Sequence, residues 1–212
     1  MNRREAIAAG AAIVFSTKAL AGPPSKKKQE PQCPCVDQDK KANNPLERKH
    51  AQICAFHGGY DDPKLQMEVT HYCTAVGDGV FQCILYDSPE KNAKLIGVEY
   101  VITEARFGQL PKDEVKLWHP HRWEIEEGLL TIHNVTKTCE ETLLKALYTS
   151  WGKTWHTWPD ISTPVPMGKP ILMWSFGGPN GPVDPKLVAK RDAKYKLNVD
   201  EIKKSRSKLL GK

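Results

Sequence analysis

The residues with most chemical reach in this chain are three histidines and two glutamates near its middle. His119 and His121 flank Pro120 in a His-x-His word, followed by Glu124 and Glu126. On extended backbone, an imidazole pair at that spacing can point two nitrogens at one ion. His71 as a third imidazole and one carboxylate would complete a site for a divalent transition metal. Glu99 or Glu124 would then serve as ligand or general base, which makes both the catalytic candidates. The competing reading is a buried hydrogen-bond network in which the same histidines position Tyr72 and Trp118. His50, His57, His133 and His156 stand alone in the sequence and read as surface or hydrogen-bonded residues.

Cysteine chemistry is the second candidate. Cys33-Pro34-Cys35 is a CxC word, which fits neither thioredoxin chemistry nor a paired zinc knuckle. It suits a soft metal such as copper, or a disulfide with Cys54 or Cys139. Cys73 and Cys83 read either as a cross-strand disulfide or as buried packing thiols. No CxxCH is present, so c-type haem is excluded. No Gly-rich phosphate loop, dinucleotide fingerprint, Gly-x-Ser-x-Gly elbow or His-Glu-x-x-His occurs, which argues against nucleotide as a partner and against standard lipase or zincin chemistry.

The elements that must position these groups are legible in part. Gln66–Cys73 and Val80–Tyr86 flank Gly77-Asp78-Gly79, a strong hairpin signal. A three-residue loop sets Cys73 opposite Cys83 and His71 opposite Leu85. Period two puts His71 and Cys73 on one face, and Leu95–Ile102, as a third strand, brings Glu99 on or near it. These strands form a meander. Pro111–Leu117 reads as a short helix, and Cys139–Trp155 as the main amphipathic helix. Tyr148, Trp151, Trp155 and Trp158 would then share one helix face, as core packing or as a sugar or lipid platform. Pro170–Phe176 is a late strand. The expected fold is α+β, an antiparallel β-sheet meander packed with helices on one side, as a single domain over residues 50–183.

The chain has 212 residues, a net charge of +6 and 40% hydrophobic residues. No stretch reaches the roughly 18 to 20 apolar residues of a membrane span. Residues 1–21 read as an export signal: Arg3-Arg4 suggests the twin-arginine route and Ala19-Leu20-Ala21 the cleavage site. A periplasmic or secreted location follows as the expectation. Residues 22–49 read as a flexible Pro/Lys-rich arm. Residues 184–212 carry ten Lys/Arg against four Asp/Glu and read as a basic helix or tail. Such a tail packs back on the domain or meets an anionic membrane surface. No motif for binding nucleic acid is present.

Several words in order resemble the oil-body-associated protein family, also described as a domain of unknown function. They are Thr70-His71-Tyr72-Cys73, Phe81-Gln82-Cys83 with Tyr86-Asp87, and Leu95 to Ile102. Leu110-Pro111, Leu117-Trp118-His119-Pro120-His121, Glu124-Ile125 and Gly128 continue the series, with weaker matches at Tyr148, Gly152-Lys153-Thr154-Trp155 and Pro166-Met167-Gly168. The resemblance implies association with oil bodies in plant members and no established activity. The chain departs from those relatives in its N-terminal signal, its Lys-rich arm and Cys33, Cys35 and Cys54. Two functional expectations follow. One is a binding or accessory protein that meets lipid or an envelope protein. The other is a metal-dependent enzyme using His71, His119 and His121.

Overall fold

Ala51–Gly59 forms β1, a strand that sequence pattern leaves unassigned because all its residues are buried and no alternation marks it. Gln66–Gly77 (β2) and Val80–Tyr86 (β3) form the expected hairpin, with Cys73 opposite Cys83 and His71 opposite Leu85. Gly77, Asp78 and Gly79 all have positive φ, a conformation that glycine takes without steric cost. Leu95–Thr103 (β4) pairs next and sets Glu99 opposite Cys83. These elements belong to the unit Pro31–Lys212, of which the computed structural model describes residues 42–48 and 50–212. The expected export signal, residues 22–41 of the arm, and Cys33 with Cys35 lie outside the described residues.

Two short helices, Glu104–Phe107 (α1) and Lys112–Val115 (α2), lead to the two-residue strand His119–Pro120 (β5). Arg122–Glu126 (α3), Thr131–His133 (β6) and Lys137–Tyr148 (α4) follow. The helix expected over Cys139–Trp155 is therefore two elements, because Ser150–His156 is a strand, β7. Spacings of three and four suited a helix at Tyr148, Trp151 and Trp155, but alternation governs here. Ser150, Gly152, Thr154 and His156 are buried, while Trp151, Lys153 and Trp155 face outward and are half-buried. The aromatic series shares no helix face: Trp151 stacks on Phe107 and the Tyr148 hydroxyl donates to Glu126.

Ile171–Ser175 (β8) completes the sheet, which closes on itself. Strands β2, β3, β4, β7, β8 and β1 run in that order, and β1 pairs back onto β2, with every pairing antiparallel. The α+β expectation stands, but the open meander is corrected to a closed barrel, which leaves no long unpaired edge. One seam is built in two storeys. Strand β8 spans from β7 to β1 at one end, through Thr154–His156 and His57–Gly59. At the other end β5 pairs with Gly152 and Trp151, while β6 pairs with Gln52–Cys54. His121 lies at the turn that joins β5 to α3, and Glu124 on α3 itself.

Residues 184–212 form two helices, Pro185–Tyr195 (α5) and Val199–Leu210 (α6), capped by the side chains of Asp184 and Asn198. Phe56, on the outer face of β1, packs with Leu129, Phe176, Val183, Leu187 and Val188. Arg191 is fully buried and donates to the carbonyls of Leu129 and Gly128 at 3.2 Å each, which fastens the segment just after α3. Among the described residues, no helix is long and apolar enough to cross a membrane.

Candidate metal centre

Inward-facing positions of β2, β4 and β7, together with β5, meet at Glu99. His71 Nε2 lies 3.2 Å from Glu99 Oε2, and His119 and His121 Nε2 lie 3.4 and 3.3 Å from Oε1. Thr154 Oγ1 donates to Oε1 at 3.0 Å. The three histidines singled out by sequence and one of the two candidate carboxylates thus form one buried cluster. Gly152, the barrel partner of His119, is what lets them converge. A β-carbon at that position would overlap Glu99 Oε1 and lie 2.7 and 2.8 Å from His121 and His119 Nε2.

Two histidines that sequence reasoning set aside extend the cluster. His57 Nε2 lies 3.1 Å from His71 Nε2, and His57 Nδ1 lies 3.0 Å from His156 Nε2. Both rings are buried. His57 and His71 with Glu99, and Glu99 with His119 and His121, are two overlapping sets whose donor atoms could hold an ion. The sequence did contain a signal for His156, namely its place in the alternation of Ser150–His156. None existed for His57, inside a strand without alternation.

The hydrogen bonds around His121 assign its proton. The Ser150 hydroxyl donates to the Leu147 carbonyl at 2.8 Å, so its oxygen accepts from His121 Nδ1, also at 2.8 Å. In the neutral ring, Nε2 is then a bare acceptor turned toward a carboxylate. A cation between them satisfies both. Buried nitrogens His71 Nδ1, His119 Nδ1 and His156 Nδ1 have no hydrogen-bond partner.

The electrostatics are those of a dry site. Burial alone would raise the Glu99 carboxyl, but the imidazoles of His119, His121 and His71 around it outweigh that and hold the group well below its ordinary value. Burial, then the neighbouring His71, pushes His57 well down. Burial likewise lowers His119, and it brings His156 down to about 3 with help from His71. Glu124 goes the other way: burial, then the charge of Glu99, raises it well above the usual carboxylate range. Its Oε2 is buried without a hydrogen-bond partner, so this candidate stands apart from the cluster.

Above the cluster lies a cavity of about 200 Å³ inside the barrel. Ala55, Val101, Leu130 and Leu143 line its walls, and His57, His71, Glu99, His121 and Glu124 its polar end. Cys73 and Cys83 form a disulfide in the same wall. Cys54, weighed as a partner for Cys33 or Cys35, is a free, buried thiol.

Residues 43–210 match a family model described as a protein of unknown function (DUF1264). The chain is 33% identical over 168 residues to oil body-associated protein 1B of Arabidopsis thaliana, across 79% of this chain and 69% of that one. It is 38% identical over 165 residues to oil body-associated protein 2A of Zea mays, across 77% and 66% of the two chains. Oil body-associated protein 2A of Arabidopsis thaliana is 35% identical over 169 residues, across 79% and 68%. No solved structure matches. These findings correct the expected periplasmic or secreted location, because the matching proteins are plant proteins named for oil bodies. An envelope-protein partner has no support among them.

Proposed function

The chain belongs to the oil body-associated protein (DUF1264) family, and on that footing we propose that it is a metal-binding member whose barrel holds one divalent transition-metal ion on His71, Glu99, His119 and His121. The spacing of the donor atoms carries this reading. Separations of 3.2, 3.3 and 3.4 Å from the Glu99 oxygens are long for charge-assisted hydrogen bonds. The two to the single atom Oε1, from His121 and His119, suit the edges of a tetrahedron, since two ligands bonded at about 2.0–2.1 Å to one ion stand about 3.3 Å apart. His71 approaches the other carboxylate oxygen, Oε2. The room for that ion is the space that a side chain on residue 152 would fill. Mixed imidazole and carboxylate donors favour zinc, iron, manganese or nickel over a soft ion. Ser150, holding His121 by Nδ1, is an outer-shell partner of the kind that orients a metal-bound imidazole.

Lipid is the partner we extend to this chain from its relatives, on the strength of their association with oil bodies.

The test is metal content by elemental mass spectrometry on the untagged full-length chain, with His119→Ala/His121→Ala beside it and thermal unfolding of both. Near-stoichiometric metal that disappears in the folded double variant is the expected result. A folded parent chain without metal, across preparations supplied with each of the four ions, would return the cluster to a purely structural network.

A further inference from the structure

The cavity over the cluster is graded along its length. At one end its lining is buried and polar, with His57, His71, Glu99, His121 and Glu124. At the other end the lining residues Thr103 and Ala146 are exposed. That end is where β4 finishes, the β2–β3 hairpin turns and α4 nears its last turn. Between the two ends the wall is apolar, mostly aliphatic with Phe81 and the Cys73–Cys83 disulfide among it. A molecule entering past Ala146 therefore meets hydrocarbon first and polar groups last.

Glu124 makes the polar end ask for something. Its residue is 2% exposed, and its Oε2 finds no hydrogen-bond partner in the protein. A buried polar atom left unpaired carries its full desolvation cost, so a ligand group that pairs with it is favoured. With no basic side chain hydrogen-bonded to it, burial favours the neutral carboxyl, which offers an O–H to an acceptor.

We infer that the barrel cavity binds a small, single-headed amphiphile. Its hydrocarbon part lies against Ala55, Val101 and Leu143, and its one oxygen function is met by Glu124 beside the His/Glu cluster. An apolar cavity of about 150 Å³ accommodates benzene. The 200 Å³ here suits a slightly larger molecule, of roughly six to eight non-hydrogen atoms. Sugars are excluded by the apolar wall, and a long acyl chain is excluded by volume. The hydrocarbon assignment stands on the cavity itself, while the juxtaposition of the oxygen with a metal rests on the proposed metal centre.

Isothermal titration calorimetry of the full-length chain with 1-hexanol, 1,6-hexanediol and hexylamine tests the assignment. Saturable one-to-one binding of 1-hexanol is expected, with 1,6-hexanediol weaker by at least about tenfold because its second hydroxyl would be desolvated against hydrocarbon. Ala55→Phe fills the cavity and Ala146→Trp blocks its exposed end; each weakens 1-hexanol by about tenfold or more. Because Ala146 is exposed, the second variant keeps the test open if the first does not fold. Glu124→Leu weakens binding by about tenfold, and Glu124→Gln, which retains a donor, restores most of it. No binding of 1-hexanol by the folded chain would overturn the assignment. So would hexylamine binding more tightly than 1-hexanol, or parental affinity in both Ala55→Phe and Ala146→Trp. Metal content is read on the same samples. Metal-free protein that still takes 1-hexanol ends the metal reading and keeps the cavity site, whereas metal-replete protein that refuses it ends the cavity site alone.

Discussion

Glu99 reaches from β4 toward β7 at the one place where β7 has no side chain, Gly152. On the barrel ladder Gly152 pairs with Val101, and Glu99 pairs with Thr154, whose hydroxyl donates to the carboxylate at 3.0 Å. The carboxylate thus leans across one step of the ladder into the space above the glycine, where His119 and His121 also end. The φ of Gly152 is not among the positive ones, so space and not backbone conformation is what the glycine provides here.

Gly152→Ala is accordingly a test of the centre with little cost to the strand. The added methyl group overlaps Glu99 Oε1 and pushes it off the imidazoles. Metal affinity should fall by about tenfold or more, within the range seen when ligand orientation is disturbed. Competition with a chelator, followed by elemental analysis, measures it. Unchanged retention of metal would place the ion elsewhere or nowhere.

Glu124→Gln should stabilise the metal-free protein, and more so as pH rises. The folded chain holds this carboxyl well above its unfolded value, through burial and then through Glu99. For an acid shifted in that direction, stability is complete below the unfolded value near 4.3 and is lost as pH rises toward the folded one. Glutamine removes that loss. The melting temperature of the variant should exceed that of the parent by an amount that grows from pH 4.5 to 7, at about 2–4 °C per kcal/mol. Parallel melting curves across that range would show that Glu124 is not buried as described.

The barrel's centre was half legible in the sequence. The two glycines around Asp78 and the period of two sufficed to set Cys73 against Cys83, and His71 on the face of Glu99. His-x-His carried its own signal. The break between α4 and β7 did not, since Tyr148, Trp151 and Trp155 satisfy helical spacing, and the contrary evidence was one glycine and one β-branched residue, Gly152 and Thr154. The meeting of His57 with His156 was out of reach for a different reason, although alternation along Ser150–His156 marks His156 as inward-facing. Each is isolated in sequence, and only the pairing of β8 with both β1 and β7 brings them to 3.0 Å. Long-range closure is a tertiary fact, and local pattern does not encode it.

Acid should unfold the metal-free chain in a window set by these two rings. Burial lowers His156 to about 3 and holds His57 well below its ordinary value. Between about pH 6.5 and 3 the unfolded chain binds protons that the folded chain refuses, so stability is full above 6.5 and falls as pH drops. Each such group contributes a slope of about 1.4 kcal/mol per pH unit. Urea denaturation at pH 7, 6 and 5 measures the slope, and His156→Gln should flatten it. Ligating imidazoles must be unprotonated, so acid should also release bound metal. A stability flat from pH 7 to 5 would contradict the burial of both rings.

Reduction of the Cys73–Cys83 disulfide should destabilise the chain without unfolding it, by an amount toward the low end for a disulfide because the loop it closes is short. The two residues are 10 apart in sequence. Loop-closure entropy for such a span amounts to about 2–3 kcal/mol. Denaturant midpoints with and without a phosphine reductant test this. A reduced chain that no longer folds would mean that the disulfide does more than close a hairpin that already pairs through β2 and β3.

The barrel's closing seam joins its first strand to its last, with His57 against Ser175 and Gly59 against Met173. Contacts so distant along the chain are the slowest to form, since their loop entropy is lost before any contact repays it. On a ribosome adding about 5–20 residues per second, β1 to β7 would wait for β8 with their inner faces uncovered. An ion could not nucleate this fold as zinc does in a small finger, because His71, Glu99 and His119 stand on β2, β4 and β5, which are tied together only once β7 has paired with β4 and β5. Loading would wait for β7, late in synthesis, and a chain truncated before Ser150 would reach the cell without the strand on which β4 and β5 meet.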